Sequence, residues 1–333
     1  SQPSSSQQQS SQQSSQKPSS ENTTTPPSAA ASAHTTFFNL LPLNVDTPTP
    51  APTVKYLSNT VLPTHSDSSG EVLRFKSGST TYSLPVKEAL KHVVANEMNN
   101  AMTLEAIKSQ VVATHTYIKF YNDNGDTPSV GYKSTIPSKV NQAVEEVYNI
   151  IMTYNGKAIY SPYHACSAGS TQSSKEVWGG ARAYLVAVES KYDYLADTAQ
   201  SKAVYKVNKT ISEAKVKAEI QDHLGVTPSG DPSTWFQFHD KNNSAYTSGN
   251  YINKITIAGK TTTGKNVRSI FGLRSACFDV KYSNGKFVFT TKGYGHGVGM
   301  SQWGAHFYAI KQGWNFEKIV CHYYKGVTLA KVA

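Results

Sequence analysis

Gly293-Tyr-Gly-His-Gly-Val-Gly-Met-Ser-Gln-Trp-Gly-Ala305 is the most glycine-dense run of this chain. Five glycines fall between Gly293 and Gly304, more than a helix or a strand has use for. Glycine is needed where φ is positive or where another backbone or a ligand comes close. The stretch therefore reads either as a shaped loop presenting His296, Gln302 and Trp303, or as a tight strand-to-helix connection in which His296 only bridges two backbones. It is not a phosphate loop. It has no G-x-x-x-x-G-K-[ST], and no G-x-G-x-x-G opens a helix after a strand.

Working back from the loop, Cys277–Tyr282 and Lys286–Thr290 read as strands joined by Asn284-Gly285, a strong hairpin signal. Trp235–Phe238, Tyr251–Ala258 and the apolar Tyr184–Val188 also read as strands, and Ser212–Leu224 as a helix stopped by Gly225. Tyr163-His-Ala-Cys-Ser-Ala-Gly-Ser-Thr-Gln172 is a small polar run following a strand over Lys157–Tyr163. Such runs are plain loops or the means by which an active site exposes side chains on a rigid scaffold. His164 and Cys166 are two apart, compatible with two metal ligands or with an activated thiol, though far from a zinc signature.

Further upstream, Val72–Phe75, a turn at Ser77-Gly78 and Thr80–Leu84 form a hairpin pattern, and Pro85 opens a helix. Val86, Leu90, Val93, Val94 and Met98 give that helix its stripe, and Glu97 falls on the same apolar face. A carboxyl there is either a buried, hydrogen-bonded acid or a functional acid with a raised pKa. A second helix spans Thr103–Asn122 with Thr103 as N-cap, and a third spans Ser138–Tyr154. After the glycine loop, Ser301–Lys311 and Phe316–Tyr324 close the chain as helices. The fold expected is α+β: N-terminal helices packed with mainly antiparallel strands around one groove, over residues 71–331, with an inserted subdomain around 200–265.

Residues 1–20 hold ten Ser and seven Gln, so 1–35 read as a disordered tether, continued as Pro/Thr-rich chain to about residue 70. The net charge is +10, and residues 1–70 contribute none of the excess. A basic folded part suits nucleic acid, an anionic wall or membrane surface, or solubility alone. The lysines are scattered and no nucleic-acid-binding motif is present, so nucleic acid is set aside. Three widely spaced cysteines indicate neither a zinc finger nor a disulfide framework.

Taken together, Gly295-His-Gly-Val-Gly-Met-Ser-Gln-Trp-Gly-Ala305, Leu84–Met98, Leu104–Tyr117, Tyr163–Gly169, Val177-Trp-Gly179, Tyr184-Leu185, Tyr192-Asp193 and His322-Tyr-Tyr324 resemble, in order, the motifs of the SpoIID/LytB family of sporulation and cell-wall proteins. The resemblance implies a peptidoglycan lytic transglycosylase acting on glycan strands stripped of stem peptides. It implies Glu97 as the catalytic acid. It also implies a glycan-binding surface that includes His115, Tyr163, His164, Ser167, Gln172, Tyr184, His296, Gln302 and Trp303, with Trp178 and Tyr294 as further stacking rings. Some relatives bind zinc near the 163–169 run, which offers His164 and Cys166 as ligands, although no cofactor is required. An extracytoplasmic location facing the wall follows, with a membrane tether preceding this sequence. Two family positions differ: an Arg is replaced by His115 and a Lys by Val186. These changes favour the alternative, a non-catalytic glycan binder that stimulates a partner amidase. A third reading makes Cys166 an acyl-transfer nucleophile.

Overall fold

The computed structural model describes residues 48–57, 66–67, 70–98, 100–199, 204–240 and 244–332. The expected tether at 1–35 and the apolar group Phe37–Leu43 lie outside them. The architecture is α+β. Short β1 (Ser66–Asp67) pairs antiparallel with β2 (Gly70–Ser77), which turns at Gly78 into β3 (Thr80–Pro85) as the hairpin pattern predicts. Three helices follow: α1 (Val86–Glu97), α2 (Leu104–Asp123) and α3 (Ser138–Val147). The Thr103 hydroxyl caps α2 by accepting the Ala106 N–H at 3.3 Å. Burial on α2 extends beyond one stripe, since Ser109, Gln110, Thr114, His115 and Thr116 are all enclosed with the aliphatic residues. It is the central helix, packed against α1, α3 and the two C-terminal helices.

The third helix ends earlier than its sequence pattern. Residues 150–154 are β4 (Ile150–Tyr154), not helix. The apolar spacing of Val147 and Ile151 continues the helical period, but Ile150 to Thr153 are buried on both faces, which a strand inside a sheet produces equally well. What fixes it as a strand is β14 (Thr328–Lys331), from the far end of the chain, pairing Ile151 with Ala330. Asn155 and Gly156, both at positive φ, turn the chain into β5 (Lys157–Ala158), and β6 is only Tyr163–His164. Residues 54–57 run along the β14 edge of this sheet, with Tyr56 bridged to Leu329 and Leu57 N–H donating to Leu329 O at 2.9 Å. The expected strand at Tyr184–Val188 is absent. Its carbonyls are taken by loop donors instead, Ser174 N on Leu185 O and Thr171 N on Val188 O, and Val186 faces out.

After α4 (Ser174–Trp178) and α5 (Ala196–Ala199), a second apolar cluster begins. It is built by β7 (Lys206–Ser212), α6 (Glu213–Leu224), β8 (Phe236–Phe238), β9 (Ile255–Ile257), β10 (Lys260–Thr262), α7 (Gly264–Ile270), β11 (Phe278–Ser283) and β12 (Lys286–Lys292). Val216, Ile220, Phe236, Phe278, Phe287 and Phe289 are its centre. The β11–β12 hairpin turns at Asn284-Gly285, with φ of 51° and 72°. Strand β12 then hands the chain to the glycine loop, which returns to the first core through β13 (Met300–Ser301), α8 (Gln302–Gln312) and α9 (Phe316–Tyr323) before β14. Among the described residues no helix is long and apolar enough to cross a membrane.

The loop glycines are spacing devices. Strand β13 lies parallel to β6, and a Cβ at Gly299 would sit 2.0 Å from Pro162 O at a φ of +72°. Gly299→Ala is therefore expected to cost about 2–4 kcal/mol in urea unfolding. Gly180→Ala, where a Cβ meets open space, is expected to change stability by less than about 1 kcal/mol.

Candidate functional site

The glycine loop is wound onto the 163–172 run by backbone bonds. Cys166 and Tyr294 exchange both N–H···O bonds, at 3.1 and 2.6 Å, and Gln172 N–H donates to Gly297 O at 2.6 Å. The Gln172 side-chain amide adds a bond to His296 O at 2.8 Å. Beneath this seam lies Asp193, fully buried. Its carboxyl accepts from Ser301 Oγ at 2.6 Å, from Ser167 Oγ, and from the Cys166 thiol at 3.6 Å. Burial pushes Asp193 up to about 6, and the hydroxyl bonds oppose the rise. Ser301 also caps α8, accepting Gly304 N–H at 3.1 Å. One carboxyl thus joins the run, the loop and the first turn of α8.

That junction fixes where Gln302 points. Its Nε2 lies 3.5 Å from Glu97 Oε2 at the end of α1 and 3.2 Å from Gln110 Oε1 on α2. Gln110 Nε2 donates in turn to Thr114 Oγ1 at 3.0 Å. Thr114 bonds the Tyr163 phenol, which is close enough to Glu97 to feel its charge. Asn96 Nδ2 is 3.4 Å from the other Glu97 oxygen. Burial raises the Glu97 pKa, the two long amide bonds pull it back only weakly, and no cation contributes. The result is a carboxyl group inclined to keep its proton, held at its edge by neutral donors. Gln110 and Thr114 were not singled out in the sequence. Their signal was there: two polar side chains four apart on the buried side of a helix.

The short strand β6 divides the remaining candidates. Successive side chains of a strand point to opposite faces, so Tyr163 joins the Glu97 group while His164 turns the other way. His164 Nδ1 donates to Val298 O at 3.2 Å, and its ring is 5.5 Å from that of His296, which is 5.1 Å from Trp178. Burial pushes His164 down to about 3 and His296 well below its ordinary range, so both rings are neutral near pH 7. His296, Gln172 and Trp178 line a cavity of about 370 Å³ closed by Lys265, Asn266 and Arg268 of the second cluster. Trp178 links the two sides, since its ring also packs on Tyr160, which with Tyr117 continues the row from Tyr163.

Other expected site residues face elsewhere. His115 is fully enclosed, with Nδ1 on Tyr148 O at 2.6 Å and Nε2 4.0 Å from Glu71. Burial holds it neutral, with a pKa of about 4, so it does not restore the charge of the family's Arg. Its place on α2 satisfied the helical period, but that face of α2 packs on the α3–β4 connection. Ser167 is consumed by Asp193. The Trp303 indole packs on His306 and Phe307 and is 7% exposed. The Tyr184 hydroxyl accepts from Tyr160 N–H and from Arg182. Cys166 is buried, and burial together with Asp193 raises its thiol pKa, so no thiolate stands ready for acyl transfer. A metal does not fit the His164/Cys166 pair. The thiol faces Asp193 and the imidazole faces His296, and among the described residues no group of three or more His, Cys, Asp or Glu is placed to hold an ion.

Comparison with known proteins gives the family. The model of the SpoIID family, described as stage II sporulation protein, matches residues 76–154. The chain is 32% identical to stage II sporulation protein D of Bacillus amyloliquefaciens over 281 residues, covering 77% of each. It is 31% identical to stage II sporulation protein D of Bacillus subtilis (strain 168), covering 74% of this chain and 75% of that one. An amidase enhancer of Bacillus subtilis (strain 168) is 30% identical over 72% of this chain and 40% of its own length. The chain belongs to the SpoIID family.

Two measurements probe the site. Asp193 rises from an ordinary 3.8 to about 6 on folding. Its protonated form is the one the fold favours, so its contribution is full below pH 4 and lost as pH rises through 6. Thermal melts between pH 4 and 7 should show wild type losing about 3 kcal/mol more than Asp193→Asn across that window. Gln302→Leu removes a donor that stabilises ionised Glu97. The Glu97 pKa, followed by carboxyl NMR, should therefore rise further.

Proposed function

We propose that this protein is a peptidoglycan lytic transglycosylase that cleaves glycan strands to 1,6-anhydro-muramyl ends, with Glu97 as its single acid and base. The observation that carries the reading is a desolvated carboxyl, raised in pKa and met by Gln302 of the glycine loop, with no second carboxylate among the groups that act on it. A glycoside hydrolase ordinarily needs two carboxylates at a defined separation. An intramolecular transfer needs one. Glu97 gives its proton to the glycosidic oxygen as the bond to the muramic C1 breaks. The muramic C6 hydroxyl then bonds to C1, and its proton returns to Glu97, so no water is consumed.

Tyr117 and Trp178 are the half-buried rings of a row that continues inward through Tyr160 and Tyr163, and they are suited to stacking on sugars. The net charge of +10 suits an anionic wall. The relatives named stage II sporulation protein D favour a role in wall remodelling during sporulation, outside the cytoplasmic membrane.

A second reading has its own support. Among the described residues no cation is a cause of the Glu97 shift: His115 is buried and neutral, and Val186 is apolar. With an amidase enhancer among the relatives, the chain would then hold glycan and stimulate a partner amidase without cutting. Digestion of purified strands, read by mass spectrometry for anhydro ends, separates the two. Wild type should yield them, and Glu97→Gln should lose at least about 10²-fold in rate while melting normally and still retaining strands. Strand retention with no anhydro ends from wild type would establish the binder.

A further inference from the structure

A second cavity, of about 470 Å³, opens where the C-terminal half of α2 meets the β4–β5 turn and the 182–184 loop. Phe120, Tyr154 and Tyr184 wall it; Lys119, Lys157 and Arg182 bring positive charge and Asp123 one negative charge. Lys119 is tied to Asp123 at 3.0 Å. Lys157 and Arg182 pair with no carboxylate among the described residues. Arg182 is nonetheless held in place. Its backbone N–H donates to Ser174 Oγ at 3.0 Å and its Nη1 to the Tyr184 hydroxyl at 3.3 Å. Its guanidinium lies 5.4 Å from the centre of Phe120 and 5.2 Å from that of Tyr160. With Nη1 on Tyr184, the remaining N–H groups of the guanidinium can meet a carboxylate in bidentate geometry. The Tyr154 and Tyr184 rings, 5.5 Å apart, offer apolar faces beside it.

The cavity is joined to Glu97 by one helix. Gln110 and Thr114 sit in the Glu97 network, and Lys119 and Phe120 line the cavity. Ten residues of helix rise about 15 Å, a few sugar rings along a strand. The half-buried Tyr117 lies between, against Tyr160 and Tyr163.

We propose that this cavity is a remote subsite that reads a carboxylate on the glycan strand, with Arg182 and Lys157 as specificity-determining residues. The inference rests on the glycan-strand reading above. The ligand is the free lactyl carboxylate of an N-acetylmuramic acid residue. That group is charged only where the stem peptide is gone, because with the peptide attached it is an amide. A carboxylate-reading subsite would therefore distinguish stripped strands from decorated ones at a distance from the bond being cut. The terminal carboxylate of a stem peptide has the same chemistry, and the experiment separates the two sources.

Binding is measured with Glu97→Gln protein, which holds strands without turning them over. Three probes are used: stripped strands, stripped strands with lactyl carboxylates converted to methylamides, and peptide-bearing strands. Stripped strands should bind at least tenfold more tightly than the other two. Adding Arg182→Gln with Lys157→Gln should abolish that preference and leave methylamide binding unchanged. Arg182→Lys, which keeps the charge but loses the fork, should fall between. Equal affinity for all three probes, or an unchanged preference in the double variant, overturns the subsite while leaving glycan binding standing. A preference for peptide-bearing strands that the variants abolish assigns the cavity to the peptide terminus and overturns the lactyl reading. Failure of every strand to bind overturns the glycan-strand reading and this inference with it.

Discussion

The arrangement depends on one buried carboxyl. Asp193 accepts from Ser167, Ser301 and Cys166, three groups from two segments that are more than a hundred residues apart in sequence. Removing it would leave the Ser167 and Ser301 hydroxyls without an acceptor in an interior where each unmet donor costs about 1–3 kcal/mol. Its effect is also positional. Ser301 is both its ligand and the cap of α8, so Asp193 sets the direction in which α8 leaves the loop and delivers Gln302 to Glu97. The glycines serve the same end. They let the loop lie against the run closely enough for both serines to reach a single carboxyl.

Around that joint burial favours the neutral forms of several titratable groups, although Lys119 and Lys191 are enclosed as well. Burial raises Glu97, Asp193 and the Tyr163 phenol and lowers His164, His296 and His322, so each is pushed toward its neutral form. Charge is moved outward to Lys157, Arg182 and the lysines that pair with surface acids. Such a division suits a polymer that is mostly neutral sugar with carboxylates at intervals. On the proposed function, stacking and neutral hydrogen bonds would meet the rings, and cations would stand where carboxylates recur.

Much of the fold was legible because its signals are local. The β2–β3 and β11–β12 hairpins, the Thr103 cap and the Gly225 stop are each decided within a few residues. What was misread depends on distant partners. Ile150–Tyr154 is a strand because β14 arrives beside it, and Tyr184–Val188 is not one because no strand does. β7 escaped notice because its alternating Lys, Asn and Thr give an edge strand little apolar contrast. In the candidate site, Glu97 and Gln302 were readable as polar residues at conspicuous places. His115 misled for the opposite reason. Helical spacing gives a residue's angle around α2, but not which neighbour covers that angle.

On the proposed mechanism, the pairing of Glu97 with Gln302 also bears on how one group would serve as both acid and base. Burial raises the Glu97 pKa, which favours the protonated form. Once the proton is given to a leaving oxygen, the new carboxylate needs donors that are already in place, since reorganising a buried site would cost more than the step gains. Gln302 Nε2 and Asn96 Nδ2 supply them, at 3.5 and 3.4 Å, lengths that are weak for a neutral acid and can shorten onto an anion. Gln302 is the first residue of α8, so its amide stands at the positive end of that helix. A lysine in the same place would hold Glu97 ionised from the start and leave it no proton to give. On the proposed mechanism, neutral amides beside the acid are therefore a requirement of the chemistry, and the cations belong farther along the strand.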